Sequence, residues 1–132
     1  MAFQNSSAGQ SLTVGFAFIN QNPGSPEHLW IVVALNANDE AVMFNVTTVR
    51  AGCDPTCPVN VGDHPFVKHD SVIAYGRGQI ITPTIFEALQ RAGCTIQPSA
   101  SADLVKRIRE GAMKSRFTSQ KLQVAIAATS IA

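Results

Sequence analysis

Two of the chain's three histidines, a lysine, two aspartates and a serine fall within Gly62-Asp-His-Pro-Phe-Val-Lys-His-Asp-Ser71. Just upstream, Thr47-Thr-Val-Arg50 adds two hydroxyls and a guanidinium. Charged residues make up only 14% of the whole chain, against about 25% in typical soluble domains. Chemistry-bearing groups are therefore concentrated here. Pro65 fixes its own φ and biases His64 toward an extended backbone, so the segment is stiff where it carries the imidazole. Phe66 and Val67 anchor it in a core while the polar neighbours point outward. Cleavage of a ribose phosphodiester needs a base for the 2′-hydroxyl, an acid for the leaving oxygen and a cation for the charged phosphorane. Histidine suits the first two roles and arginine or lysine the third. His64 and His28 are the acid and base candidates, and Arg50 or Lys68 is the cation. The competing reading is that His64 satisfies backbone groups of its own turn, donating through one ring nitrogen to a carbonyl.

The same region offers a metal alternative. Cys53, Cys57, His64 and His69 supply four soft or borderline ligands, enough in number for tetrahedral zinc. Their spacing matches no common finger, and two small loop cysteines in a reducing compartment are the simpler account. The metal-free site implies no cofactor. No phosphate-cradling glycine loop is present, since Gly76-Arg-Gly78 is too short, and no Gly-x-Ser-x-Gly elbow occurs. Trp30 lies inside an apolar run and reads as core rather than as a base-stacking platform.

The elements that must position these residues follow from periodicity. Residues 1–10 are small and polar and form a loose tail. From Ser11 to Ile19 the chain alternates, with Leu12, Val14, Phe16 and Phe18 on one face and Gly15 allowing a bulge or close backbone approach. The segment Asn20–Glu27, with two prolines and a glycine, is a loop. His28–Asn36 and Ala41–Val49 form a hairpin across the turn 37–40. An irregular loop follows from Arg50 to Gly62, then short strands at Ser71–Tyr75 and Gln79–Ile81. The period then changes. Thr82-Pro83 opens a helix that Gly93 stops. Ser101-Ala-Asp103 opens a second, with Leu104, Ile108, Gly111 and Ala112 on one side, and a third runs from Ser119 to about Ala128. One α+β domain spanning 1–132 is expected, β-rich to residue 81 and helical over 82–132.

Charge divides at a different place. Residues 1–100 carry four basic and seven acidic side chains, whereas residues 101–132 carry six basic and two acidic ones. Lys106, Arg107, Arg109 and Lys114 make the second helix a candidate RNA-binding or otherwise anion-binding face; a merely solvated face is the alternative. Leu29–Leu35, the longest strongly apolar run, is far too short to span a membrane. The first 26 residues hold no Lys or Arg, and three cysteines suggest no disulfide framework. A cytoplasmic protein without membrane contact is expected, with some apolar surface buried in a homo-oligomer.

The run His28-Leu-Trp-Ile-Val-Val and the returning strand Phe44-Asn-Val-Thr-Thr48 resemble the SH3-like barrel of PemK/MazF-type toxins, endoribonucleases of toxin–antitoxin pairs. Gly62-Asp-His-Pro-Phe-Val-Lys-His-Asp-Ser71 with Tyr75 looks like a divergent bacterial and phage branch related to them. The likeness covers about residues 11–81. It implies a small barrel of about five strands followed by two or three helices, a catalytic hydroxyl at Thr47 or Thr48, a dimer and an antitoxin protein as partner. Those toxins carry an arginine in the loop after the first strand. The segment Asn20–Glu27 has none, and Arg50 and His28 are the nearest substitutes.

Overall fold

The computed structural model describes residues 12–20 and 27–129. Its chain order is β1 (Ala17–Asn20), β2 (Leu29–Leu35), β3 (Ala41–Thr48), β4 (Pro58–Val59), β5 (Ser71–Ile81), α1 (Pro83–Ala92), β6 (Cys94–Gln97), α2 (Ala102–Lys114) and α3 (Gln120–Ala127). The strands form one antiparallel sheet in the order β4-β5-β3-β2-β1-β6. The architecture is α+β, as expected. The sheet is open, however, with β4 and β6 at its edges, and closure into a five-strand barrel is not seen. The expected tail 1–10 and most of the Asn20–Glu27 loop lie outside the described residues.

The hairpin forms where alternation and turn chemistry agree. Asn36 accepts backbone N–H groups of Asn38 and Glu40 through its side chain, and Asp39 takes the left-handed conformation at φ 60°. Three helix starts are likewise local. Thr82, Ser101 and Ser119 each accept a backbone N–H of the first turn, and Gly93 ends α1 at φ 100°.

The two faces of the sheet are covered differently. On one, Ala17, Ile31, Phe44, Val46, Ile73 and Tyr75 pack against Leu104, Ile108 and Ala112 of α2 and Leu122 and Ile126 of α3. Tyr75 meets Phe44 edge-on with centroids 5.1 Å apart, and its buried hydroxyl donates to Ile108 O at 2.8 Å. A side chain at Gly111 would collide with that hydroxyl, so α2 can sit this close only with glycine there. On the opposite face Phe16, Phe18, Trp30, Val32 and Met43 pack against Phe86 of α1. Trp30 is core, as its sequence context predicts.

Irregularities in the ladders shape the sheet. Between its pairs with Met43 and Asn45, β5 runs from Gln79 to Ala74, bulging through Tyr75-Gly-Arg-Gly78. The two short strands expected there are one bent strand, and a Cβ at Gly78 would overlap the Phe44 ring. In β2 the register shifts across Val33. Arg109 accepts the consequence: it donates to Val33 O at 2.8 Å, and also to Ile126 O at 3.2 Å and Thr129 O at 2.8 Å. One guanidinium thereby ties α2 and the end of α3 to the bulge of β2. Strand β6, inside the stretch expected to be helical, pairs with β1 from Ala17↔Gln97 to Asn20↔Cys94.

Candidate functional site

Alternation along β3 sets the site. Phe44 and Val46 point into the helix-covered core, so Asn45 and Thr47 must point to the other face. Beyond the reach of α1 that face is open, and there His28 lies beside Thr47, just before the Leu29↔Val46 pair. A cavity of about 370 Å³ forms over this floor, bounded by Asn45, Thr47, Ala74, Arg50, Arg77 and Phe117. A larger groove of about 1030 Å³ continues from it past Thr48, Lys68, His69 and Pro98. His28, Thr47, Arg50 and Arg77 line both. In the other direction a third recess of about 560 Å³ shares Gly52–Asp54 and Phe117 with the first and adds Lys114 and Arg116. The result is one track along the molecule with cations spaced along its walls.

The structure thus brings together Thr47, Thr48, Arg50, Lys68 and His28 in one place. His28 is half-buried and holds Nδ1 3.4 Å from Val46 O. No hydrogen bond among the described residues engages its Nε2. Thr48, Arg50 and Lys68 are exposed.

His64 departs from expectation. It is 2% exposed and lines neither cavity. Its Nε2 lies 2.6 Å from Pro98 O, and its Nδ1 accepts the Phe66 N–H at 3.0 Å. The first contact requires Nε2 to carry the proton and the second requires Nδ1 to be bare, so one neutral tautomer satisfies both. With neither nitrogen open to a substrate, His64 joins the 62–69 segment to the end of β6. The turn-satisfying reading of this residue is the one the geometry carries. Its neighbour Asp63 plays a similar part. Burial acts to raise the Asp63 pKa, but the Asn60 N–H and the Arg107 guanidinium at 2.9 Å outweigh it and hold the carboxyl below its ordinary value.

The basic helix is split in the same way. Arg107 is committed to Asp63 and Asp103, and Arg109 to the backbone carbonyls of β2 and α3. Neither presents a free guanidinium for RNA. Lys106 and Lys114 are exposed, and of these Lys114 lines the track. The metal alternative does not assemble: among the described residues no three His, Cys, Asp or Glu side chains converge as ligands. Cys57 is buried in the helix-covered core, where burial pushes its thiol pKa up, and His64 is occupied.

Four groove residues carry more than sequence reasoning assigned to them. The sequence assigns His69 a place only in the metal alternative, yet it is exposed on the groove wall. Arg77 reaches the site because the β5 bulge turns it there. Asn45 is 2% exposed at the cavity floor, and its Oδ1 has no hydrogen-bond partner. Phe117 is 49% exposed, with the Arg116 guanidinium 5.0 Å from its ring centroid. Asn45 alone had a sequence signal, as a polar residue inside the apolar run Ala41-Val-Met-Phe-Asn-Val46. Asp54 forms the acidic wall. Burial would raise its pKa, but hydrogen bonds from Ser115 and Thr56 and the nearby Arg116 charge lower it on balance. No helix among the described residues is long and apolar enough to cross a membrane. No protein-family model matches the chain, and no curated protein matches it.

Proposed function

We propose that this protein binds single-stranded RNA along the track and cleaves it at the groove shared by His28, Thr47, Arg50 and Arg77. The observation that carries the reading is the convergence of two imidazoles, His28 and His69, with Arg50, Arg77 and Lys68 around one groove. His28 takes the proton of the 2′-hydroxyl as that oxygen attacks phosphorus. Arg50 and Arg77 balance the charge gathering on the non-bridging oxygens, and the Thr47 or Thr48 hydroxyl donates to one of them. His69 gives a proton to the departing 5′-oxygen, leaving a cyclic phosphate and a free hydroxyl. Lys68, Lys114 and Arg116 hold phosphates on either side.

This mechanism keeps the PemK/MazF-like reading and moves its acid from His64 to His69. An SH3-like barrel opened at one seam is compatible with the sharply bulged β5 and the short β4 edge. In this reading the protein is cytoplasmic and dimeric, and an acidic antitoxin-like partner would compete with RNA for the cationic groove. The test is cleavage of unstructured RNA in the presence of a chelator. His28→Ala should lower the rate about 10²–10⁴-fold, the usual contribution of a general base. Undiminished cleavage by that variant would sink the mechanism. Salt-sensitive binding with no turnover in the wild type would instead leave a non-enzymatic RNA-binding module.

A further inference from the structure

Two stretches far apart in sequence line the groove of about 1030 Å³: Pro65, Phe66, Lys68 and His69 in one, Gln97 and Pro98 in the other. The first stretch is held at both ends. At its start Asp63 pairs with Arg107 at 2.9 Å and takes the Asn60 N–H at 2.8 Å. At its end Asp70 O accepts the Val49 N–H at 3.0 Å, and His69 O accepts the Ser71 hydroxyl at 2.8 Å. Between these holds the chain turns tightly, with the Val67 N–H on His64 O at 3.0 Å. From that turn the buried His64 ring reaches 34 residues along the chain, to Pro98 O at 2.6 Å. Proline fixes its own φ, so the acceptor sits on stiff backbone. Pro98 follows β6, which pairs with β1, and Ile19 of β1 pairs with Leu29 beside His28. His64 thus ties the wall bearing Lys68 and His69 to the sheet that carries His28 and Thr47.

We infer that His64 is a positioning residue for His69 and Lys68, acting through its bond to Pro98. This role rests on the cleavage reading above, in which His69 is the acid. Closed to substrate, the His64 ring transfers no proton of its own. It sets where the opposite partner of His28 stands. Proton transfer to a leaving oxygen needs a heavy-atom approach of about 2.6–3.2 Å, and a displacement of about 1 Å can cost 10²-fold in rate. A neutral imidazole suits the task because one nitrogen donates and the other accepts. One rigid ring therefore closes the local turn at the Phe66 N–H, 3.0 Å away, and makes the distant contact at the same time.

Two substitutions in the full chain separate the two bonds. His64→Asn keeps the turn, because an asparagine carbonyl accepts the backbone N–H two residues on, and drops the bond to Pro98. His64→Gln has the reach to donate to Pro98 O and drops the turn bond. Each variant loses one hydrogen bond, so their melting temperatures should fall alike. Steady-state cleavage of unstructured RNA should not. His64→Asn should lose about 10²-fold in kcat with KM little changed, since the cations elsewhere on the track still hold the strand. His64→Gln should recover most of that loss. Equal kcat in the two variants would overturn the assignment, as would a loss in His64→Asn carried by KM alone. Relaxation dispersion on the apo protein reads the wall without RNA. Microsecond–millisecond exchange at residues 66–69 should appear in His64→Asn and be absent from His64→Gln. Flat dispersion in both would overturn the positioning of the wall by itself. No RNA cleavage by the wild type would overturn the cleavage reading and, with it, the role of His64 toward the acid.

Discussion

Phe44 and Asn45 are adjacent in β3 and meet opposite surroundings. The face that carries Phe44 is closed by two helices, and two long polar side chains there find backbone partners, Tyr75 at Ile108 O and Arg109 at Val33 O, while the buried Thr118 Oγ1 between those helices has none. The face that carries Asn45 is closed only where α1 lays Phe86 over Phe16 and Phe18. Past that cover it is a floor with hydroxyls, an unpaired amide and bordering cations. The same strands therefore build a core and a site by alternation alone.

Substitutions on the closed face should cost the most stability. Phe44→Ala removes a fully buried ring and its edge-on contact with Tyr75. It should destabilise the fold by about 3–5 kcal/mol in urea titrations. A loss as small as that of a surface substitution would show that α2 and α3 do not cover this face in solution.

The histidines sharpen the contrast at a middle scale. His64→Ala strands the Pro98 carbonyl and the Phe66 N–H, and should cost about 1–3 kcal/mol. His69→Ala should leave stability within about 0.5 kcal/mol, as for exposed positions, while slowing RNA cleavage. The two variants exchange roles if His64 is the acid after all, and the paired measurement of urea midpoint and cleavage rate decides.

The smallest effect is electrostatic. The Asp63 pKa is lowered in the folded state, so its contribution is present at neutral pH and throughout the range above its unfolded value, about 3.9. It is lost as pH falls from there through the lower folded value. Both partners are partly solvated, with Arg107 35% exposed at its side chain, so the exposed-pair range of about 0.2–1 kcal/mol applies. Asp63→Asn should therefore melt slightly below the wild type at pH 7. The gap should close on acidification below pH 4. A gap that widens there would reverse the sign of the linkage.

Much of the local structure was legible because local chemistry determines it. Thr82, Ser101 and Ser119 cap helices that their own first turns require. The hairpin of β2 and β3 follows from two apolar runs and one turn. Gly15 was readable as a site of close approach, and a Cβ there would meet Ala100 O at 3.2 Å. Strand β6 was not legible. Four residues without clear alternation become a strand only when the edge of β1 supplies their partners. The bulge in β5 was hidden for a related reason, since it exists only relative to the register of β3.

The site divides along the same line. Composition and spacing marked Thr47, Thr48, Arg50, His64 and Lys68 as part of a chemistry-bearing cluster within a charge-poor chain, with His28 added as a second acid or base candidate. Side-chain type limits what chemistry a residue can do, and that is written in one dimension. Which nitrogen is free, which cation is spent on a neighbour and which amide lacks a partner depend on residues far away in sequence. Pro98 occupies His64, Asp63 occupies Arg107, and the carbonyls of Val33, Ile126 and Thr129 occupy Arg109. Hydrogen-bond capacity is finite, and only the folded arrangement shows where it has already been used.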